Sequence, residues 1–223
     1  MIVYFYRNVE RQSPEQLESL VASMPRQQQD IVARYKSHRQ KCEQTIAYIM
    51  LCHALKTQRH LIESPSDVVI KHFRHELLTP RYIRRNPPLW AFGEHGKPYI
   101  PNYEGVHFNI SHCKEAVVIG ICDHEIGIDV EGRRRFSDTL LERAFNDEEK
   151  ALVKRSNDPQ KDFASIWTRK EAYFKWTGTG ILMDHLKTTE AEANKAGCHI
   201  KTISIEATEE GEETFWLSIA CKD

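Results

Sequence analysis

The sequence predicts an α+β chain, and three observations carry that expectation. A β-rich start runs into a helix-rich stretch, three short strand candidates follow one another between residues 106 and 131, and two alternating segments near the end flank an acidic turn. At 223 residues the chain suffices for one large domain or two small ones without disulfide staples. IVYFY (2–6) is rich in β-formers, and Ser13-Pro14-Glu15-Gln16 combines an N-cap, a proline at the first helical position and a capping-box glutamine. A second helix is expected from Pro25. Ile46, Ile49, Met50, His53, Ala54 and Leu61 set the 3.6-residue rhythm of a third over about 43–62. VVIKHF (68–73) suits a strand, and the prolines at 80, 87 and 88 with the Gly-rich stretch 93–105 mark a long irregular connection.

Beyond a boundary placed near 102–106, VHFNI (106–110), AVVIGIC (116–122) and IGIDVE (126–131) read as an antiparallel meander, the last two joined by Asp123-His124-Glu125. Ser137 caps a short helix, and Asn146 with Glu149 forms a capping box for the next. A longer helix over roughly 160–177 stops at Gly178, which suits a C-cap at positive φ. HIKTISIEA (199–207) and TFWLSIA (214–220) close the chain as a hairpin.

Composition excludes several classes. Charged residues are 28% and hydrophobic ones 40%, with 31 Lys+Arg against 32 Asp+Glu, unlike disordered, collagenous or membrane chains. No apolar stretch reaches the roughly 18 uncharged residues of a membrane span, and the start MIVYFYRNVERQ lacks a signal-peptide pattern, so a cytoplasmic location is expected. Six cysteines without C-x-x-C or zinc-finger spacing read as reduced thiols. Residues 1–110 carry 15 basic and 10 acidic side chains, and 111–223 carry 16 and 22. The basic run KHFRHELLTPRYIRR (71–85) is either a solvated face or a surface for an anionic partner.

Asp129 and Glu131, two apart on a strand, project to one face, and such a carboxylate pair is either a surface feature or a site for a hard divalent cation. Trp167, Glu171 and Lys175 are spaced by four and share a helix face. Taken alone, Glu171 and Lys175 form a surface pair over an aromatic core. Combined with Asp129 and Glu131, Glu171 completes three carboxylates for Mg²⁺ and Lys175 reaches phosphate oxygens. Ser111-His112 ends a strand with a hydroxyl and an imidazole able to bind phosphate. Cys113, its neighbour, points to the opposite strand face, against a Cys–His pair.

GKP (96–98), FNISH (108–112), IGIDVE (126–131) and WTRKEAYFKWTGTG (167–180), in this order, resemble the motifs of the 4′-phosphopantetheinyl transferase superfamily, of the type that activates surfactin synthetase. The resemblance implies two similar α+β halves, a pseudo-dimer divided as 1–104 and 105–223, with the active site in the cleft between them. It implies transfer of 4′-phosphopantetheine from coenzyme A to a serine hydroxyl of an apo acyl or peptidyl carrier protein, with release of adenosine 3′,5′-bisphosphate. Asp129, Glu131 and Glu171 then match ligands of Mg²⁺, with Mn²⁺ as an alternative. Lys175 and His112 match the pyrophosphate-binding pair, and Ser111 and Lys97 match positions lining the coenzyme. Glu171 is also a candidate base for the carrier serine, and Lys170 receives no direct role.

The family's D-x-x-R-type signature is absent. The matching stretch reads Lys41-Cys42-Glu43-Gln44, which leaves Arg34, Lys36, Arg39 or Lys41 for the nucleotide's 3′-phosphate end. Arg133, Arg134 and Arg135 are candidates for docking an acidic carrier. The resemblance implies a monomer and gives no role to nucleic acid or membrane. The competing expectations are a Mg²⁺-dependent nucleotide pyrophosphohydrolase and a non-catalytic coenzyme A or carrier-binding module.

Overall fold

β1 (Ile2–Arg7) buries every residue from Ile2 to Tyr6, as a strand covered on both faces must. In this computed structural model, which describes residues 1–57, 68–83, 86–180, 187, 190–206 and 214–222, the chain then turns into helix where its caps dictate. Ser13 and Gln16 form the expected capping box with Pro14 at the first position of α1 (Pro14–Ala22). α2 (Arg26–Ala33) starts immediately after Pro25. α3 (His38–Thr57) begins earlier than expected because the Ser37 hydroxyl accepts the Gln40 N–H at 3.2 Å. Residues 58–62 of the expected helix lie outside the described residues. From Thr45 to Cys52 every α3 side chain is buried, so this is a central helix, apolar all round, and not an amphipathic surface one.

Two compact units follow from the contacts: residues 1–93 with 98–124, and residues 94–97 with 125–223. In the first, β2 (Val69–His72), β5 (His107–His112) and β6 (Ala116–Cys122) join β1 in the order β2-β1-β6-β5, with only β1–β2 parallel. A small ladder of β3 (Ala91–Phe92) and β4 (Pro98–Tyr99) accompanies them. In the second, β7 (Ile126–Glu131) pairs with β9 (Thr214–Cys221), which pairs with β8 (His199–Glu206), all antiparallel.

The expected terminal hairpin is therefore β8–β9, while residues 207–213 of its acidic turn lie outside the described residues. The expected meander is only half present. β5 and β6 pair, but β7 takes β9 as its partner along six residues, so Asp123-His124-Glu125 links two sheets and closes no hairpin. For the same reason residues 105–124 group with the first unit, where the sequence places them in the second half.

The units repeat one connectivity. In each, a first strand leads into helices and pairs antiparallel with the last strand, which pairs with the one before it: β1-β6-β5 and β7-β9-β8. Together they make the α+β architecture expected.

The helices of the second unit are α4 (Asp138–Ala144), α5 (Asp147–Arg155), α6 (Pro159–Thr177) and α7 (Glu190–Lys195). Ser137 caps α4, Asn146 and Glu149 box α5, and Gly178 ends α6 at φ 70°, each as its sequence signal predicts. Phe136, Phe145 and Trp167 each stack on Phe163, with ring centroids 4.4 Å, 4.8 Å and 6.0 Å from it. α6 lies across the three-stranded sheet, where the buried Thr168 hydroxyl meets Ser218 at 2.8 Å and Ser218 meets Thr202 at 2.9 Å, so these hydroxyls are satisfied within the packing.

Gly127 sets how closely α6 approaches. A Cβ there would lie 2.0 Å from the Ala172 carbonyl oxygen and 2.3 Å from the Trp176 nitrogen, both backbone atoms that cannot swing aside. Gly127→Ala is expected to destabilise the protein by about 3 kcal/mol or to prevent folding. A fall in the urea midpoint checks this, and an unchanged midpoint refutes the close approach.

Candidate active site

Gly127, Asp129 and Glu131 alternate onto the face of β7 that α6 covers, with Ile128 and Val130 on the other. Because Gly127 admits the helix, Trp167, Glu171 and Lys175, which share one α6 face, come against the two acids. Lys175 Nζ donates to Asp129 Oδ1 at 2.7 Å. At the other end Arg134 donates to Glu131 and stands 5.1 Å over the Trp167 ring. Glu171 lies between these pairs, 9% exposed, with no hydrogen bond or ion pair among the described residues.

Electrostatics follow from that arrangement. Burial pushes the Glu171 carboxyl up to about 7, the Asp129 charge adds to the shift, and Lys175 opposes it. Glu131 is also raised, by burial first, against the pull of Arg134 and with a further push from Asp129. The three carboxylates thus sense one another. Among the described residues, however, no three His, Cys, Asp or Glu side chains are grouped so as to hold a metal ion. Lys175 and Arg134 each hold one of the acids, and a proton compensates the third near neutrality. As a donor set, three carboxyl groups suit a hard divalent cation, and a buried carboxyl lacking any donor partner is the feature of this site that a cation would satisfy.

Lys97 does not stand apart as a coenzyme contact. Its ammonium reaches Glu125 Oε2 at 2.5 Å and the Trp176 carbonyl at 3.1 Å, placing a cation on the last carbonyls of α6. Lys170 is buried and bonds Glu149 Oε1 at 2.9 Å, while Glu149 Oε2 accepts the Asn146 N–H at 2.9 Å, so this lysine ties α6 to the cap of α5. Burial lowers its ammonium pKa. Arg133 pairs with Asp158 and Arg134 with Glu131, which commits two of the three expected docking arginines to their own unit.

In the first unit Ser111 is buried on β5 and His112 ends that strand, 45% exposed. His112 Nδ1 lies 3.4 Å from Glu43 Oε2, and Arg39 Nε lies 3.5 Å from Glu43 Oε1. Arg34 is the exposed C-cap of α2 and does not join them.

Residues 125–217, which carry Asp129, Glu131, Glu171 and Lys175, match the family model of the 4′-phosphopantetheinyl transferase superfamily. The 4′-phosphopantetheinyl transferase gsp of Aneurinibacillus migulanus is 28% identical over 167 residues, 74% of this chain and 67% of that protein. The 4′-phosphopantetheinyl transferase Sfp of Bacillus subtilis (strain 168) is 31% identical over 126 residues, 51% of this chain and 56% of that protein. A third relative, the 4′-phosphopantetheinyl transferase psf-1 of Bacillus pumilus, is 28% identical over 153 residues, 63% and 64% of the two chains. Over residues 125–217 the chain is thus similar to the 4′-phosphopantetheinyl transferase superfamily. It spans between about half and two thirds of the length of these curated transferases.

Three residues of consequence escape a reading by type and spacing. Gly127 shares the parity of the two acids, and a glycine on a strand face is itself a signal of close backbone approach. Arg134 follows Glu131 by three but gains its role from a ring on another element. Glu43 is a buried charge beside the apolar middle of α3, and nothing local names its partner on β5.

The raised Glu171 has a measurable consequence. Its folded pKa is about 7 against about 4.5 unfolded, so the folded state binds that proton more tightly and stability is lost as pH rises through this window. Gln cannot ionise. With divalent ions chelated, Glu171→Gln is expected to match the parent near pH 4.5 and to exceed it by up to about 3 kcal/mol above pH 7.5. Urea unfolding of both proteins across pH 4.5–8 reads this difference. A gap that stays constant with pH removes the raised carboxyl.

Proposed function

We propose that this protein transfers 4′-phosphopantetheine from coenzyme A to the serine hydroxyl of an apo acyl or peptidyl carrier protein and releases adenosine 3′,5′-bisphosphate. One observation carries the reading: the α6 face bearing Glu171 and Lys175 lies against Asp129 and Glu131 of β7, inside the stretch matched to the superfamily. The names of the three relatives given above, each a 4′-phosphopantetheinyl transferase, support the reaction class.

In this reading the serine oxygen attacks the phosphorus bearing the pantetheine arm, the pyrophosphate P–O bond breaks, and the adenosine bisphosphate leaves with the bridging oxygen. Asp129, Glu131 and Glu171 would hold Mg²⁺, or Mn²⁺. Such an ion would supply Lewis-acid neutralisation of charge developing on the diphosphate. Lys175 exchanges its hold on Asp129 for a phosphate oxygen, a preorganised cation for the transition state. Glu171 is also the candidate acceptor of the serine proton, directly or through water. In the first unit, Ser111, His112 and Arg39 are assigned to the coenzyme. Lys97 contributes there only by giving up Glu125 or the α6 carbonyl. A working monomer in the cytoplasm completes the reading. Among the described residues no helix is long and apolar enough to cross a membrane.

Incubation with coenzyme A, Mg²⁺ and a panel of apo-carriers, read by intact mass, tests the reaction. A carrier gaining one phosphopantetheine group is expected. Coenzyme cleavage that proceeds without carrier points instead to a pyrophosphohydrolase, and binding without turnover to a non-catalytic module. Asp129→Asn and Glu171→Gln are each expected to lower kcat roughly 100-fold or more while circular dichroism stays unchanged. Near-parental rates from both variants discard the metal assignment.

A further inference from the structure

Glu43 is a buried acid of the first unit that apolar packing does not explain. It lies on α3 two residues before the run of fully buried residues, and its side chain is 4% exposed. A carboxylate in that position needs compensation, because burial disfavours its charged form. Burial does push the Glu43 carboxyl up, Arg39 pulls it back down, and the charge of Glu10 adds to the upward push. The compensating groups come from two directions. Arg39 stands one turn earlier on α3, with Nε 3.5 Å from Oε1. His112 arrives from the end of β5, with Nδ1 3.4 Å from Oε2. One buried acid is thus shared by two groups, each engaging a different oxygen, and both are more exposed than the acid itself, at 41% and 45%.

The geometry of the imidazole ring adds a direction. With Nδ1 turned to Glu43, Nε2 is directed away from that carboxylate. Likewise Arg39 engages Glu43 through Nε, and its two terminal NH₂ groups extend beyond that contact. We propose that Glu43 is a positioning residue: it braces Arg39 and His112 from behind, so that the remaining donors of both present themselves to one phosphate-bearing portion of the coenzyme. This rests on the assignment of His112 and Arg39 to the coenzyme made above. The stretch Lys41-Cys42-Glu43-Gln44, which departs from the family's D-x-x-R-type signature, thereby gains a role through its acid. Carboxylates that orient a functional histidine through its second nitrogen are a general device.

The test uses the full chain and four variants: Glu43→Gln, Glu43→Ala, His112→Ala and the double variant Glu43→Ala/His112→Ala. KM for coenzyme A and kcat are measured at saturating apo-carrier, and the His112 imidazole nitrogens are followed by ¹⁵N NMR. Glu43→Ala is expected to raise KM for coenzyme A about tenfold with kcat within about threefold, and to add distinctly less once His112 is gone, the remainder acting through Arg39. The parent spectrum is expected to show the proton on Nδ1, with loss of that signature in Glu43→Ala. Glu43→Gln, whose amide oxygen still accepts from Nδ1–H, is expected to keep the signature and recover most of the affinity.

Independent, multiplying effects of the Glu43 and His112 changes on KM overturn the proposal, as does an unchanged KM in Glu43→Ala beside a raised one in His112→Ala. If His112→Ala leaves KM unaltered while the imidazole signal still depends on Glu43, the coenzyme assignment of His112 has failed, and the positioning role falls with it.

Discussion

The candidate site depends on the missing side chain of Gly127. An α-helix ordinarily stands off a sheet by the thickness of two layers of side chains. Here the backbone of α6 passes so close to β7 that even a methyl group would intrude on the Ala172 carbonyl and the Trp176 nitrogen. That contact fixes the height at which Glu171 and Lys175 meet the strand. Four-residue spacing on the helix then runs alongside two-residue spacing on the strand, so Lys175 finds Asp129 and, through Arg134, Trp167 is joined to Glu131. Tight packing and functional geometry are one constraint at this position, and the buried hydroxyl chain Thr168–Ser218–Thr202 extends it across the sheet.

Much of the architecture was legible because its signals are local. The capping boxes at Ser13 and Asn146, the serine at the head of α4 and the glycine ending α6 each satisfy orphan backbone groups within a few residues, so sequence alone places them. Strand existence was equally readable from alternation and β-branching. Strand pairing was not. Three closely spaced strands suggest a meander, but β7 instead registers with a segment some ninety residues later, where Ile128 faces Ile219 and Val130 faces Leu217. Every residue from Ile126 to Val130 is buried, so the pattern of exposure along the strand does not mark which neighbour it takes.

The same division separates the site residues. Asp129, Glu131, Glu171 and Lys175 announce themselves by type and spacing, and the fold brings them together. The way their charges are balanced was out of reach, because it needs the cations Lys175 and Arg134 placed in space. Packing three acids against a helix without compensation would be prohibitive. The protein answers with two cations and one retained proton, each exchangeable for a ligand's charge.

Both units solve a related problem in opposite ways. Around β7 the acids are the candidate ligands, and the cations Lys175 and Arg134 act as placeholders on them. At Glu43 the acid is sealed in the helix and the groups around it, Arg39 and His112, are the candidate ligands. A placeholder must let go for a ligand to enter, so the first arrangement favours partners exposed enough to move, as Lys175 and Arg134 are at 29% and 35%. A brace must not let go, and Glu43 at 4% exposure has no other environment to turn to. The exposure of each partner therefore distinguishes a charge that is held in reserve from one that is built in.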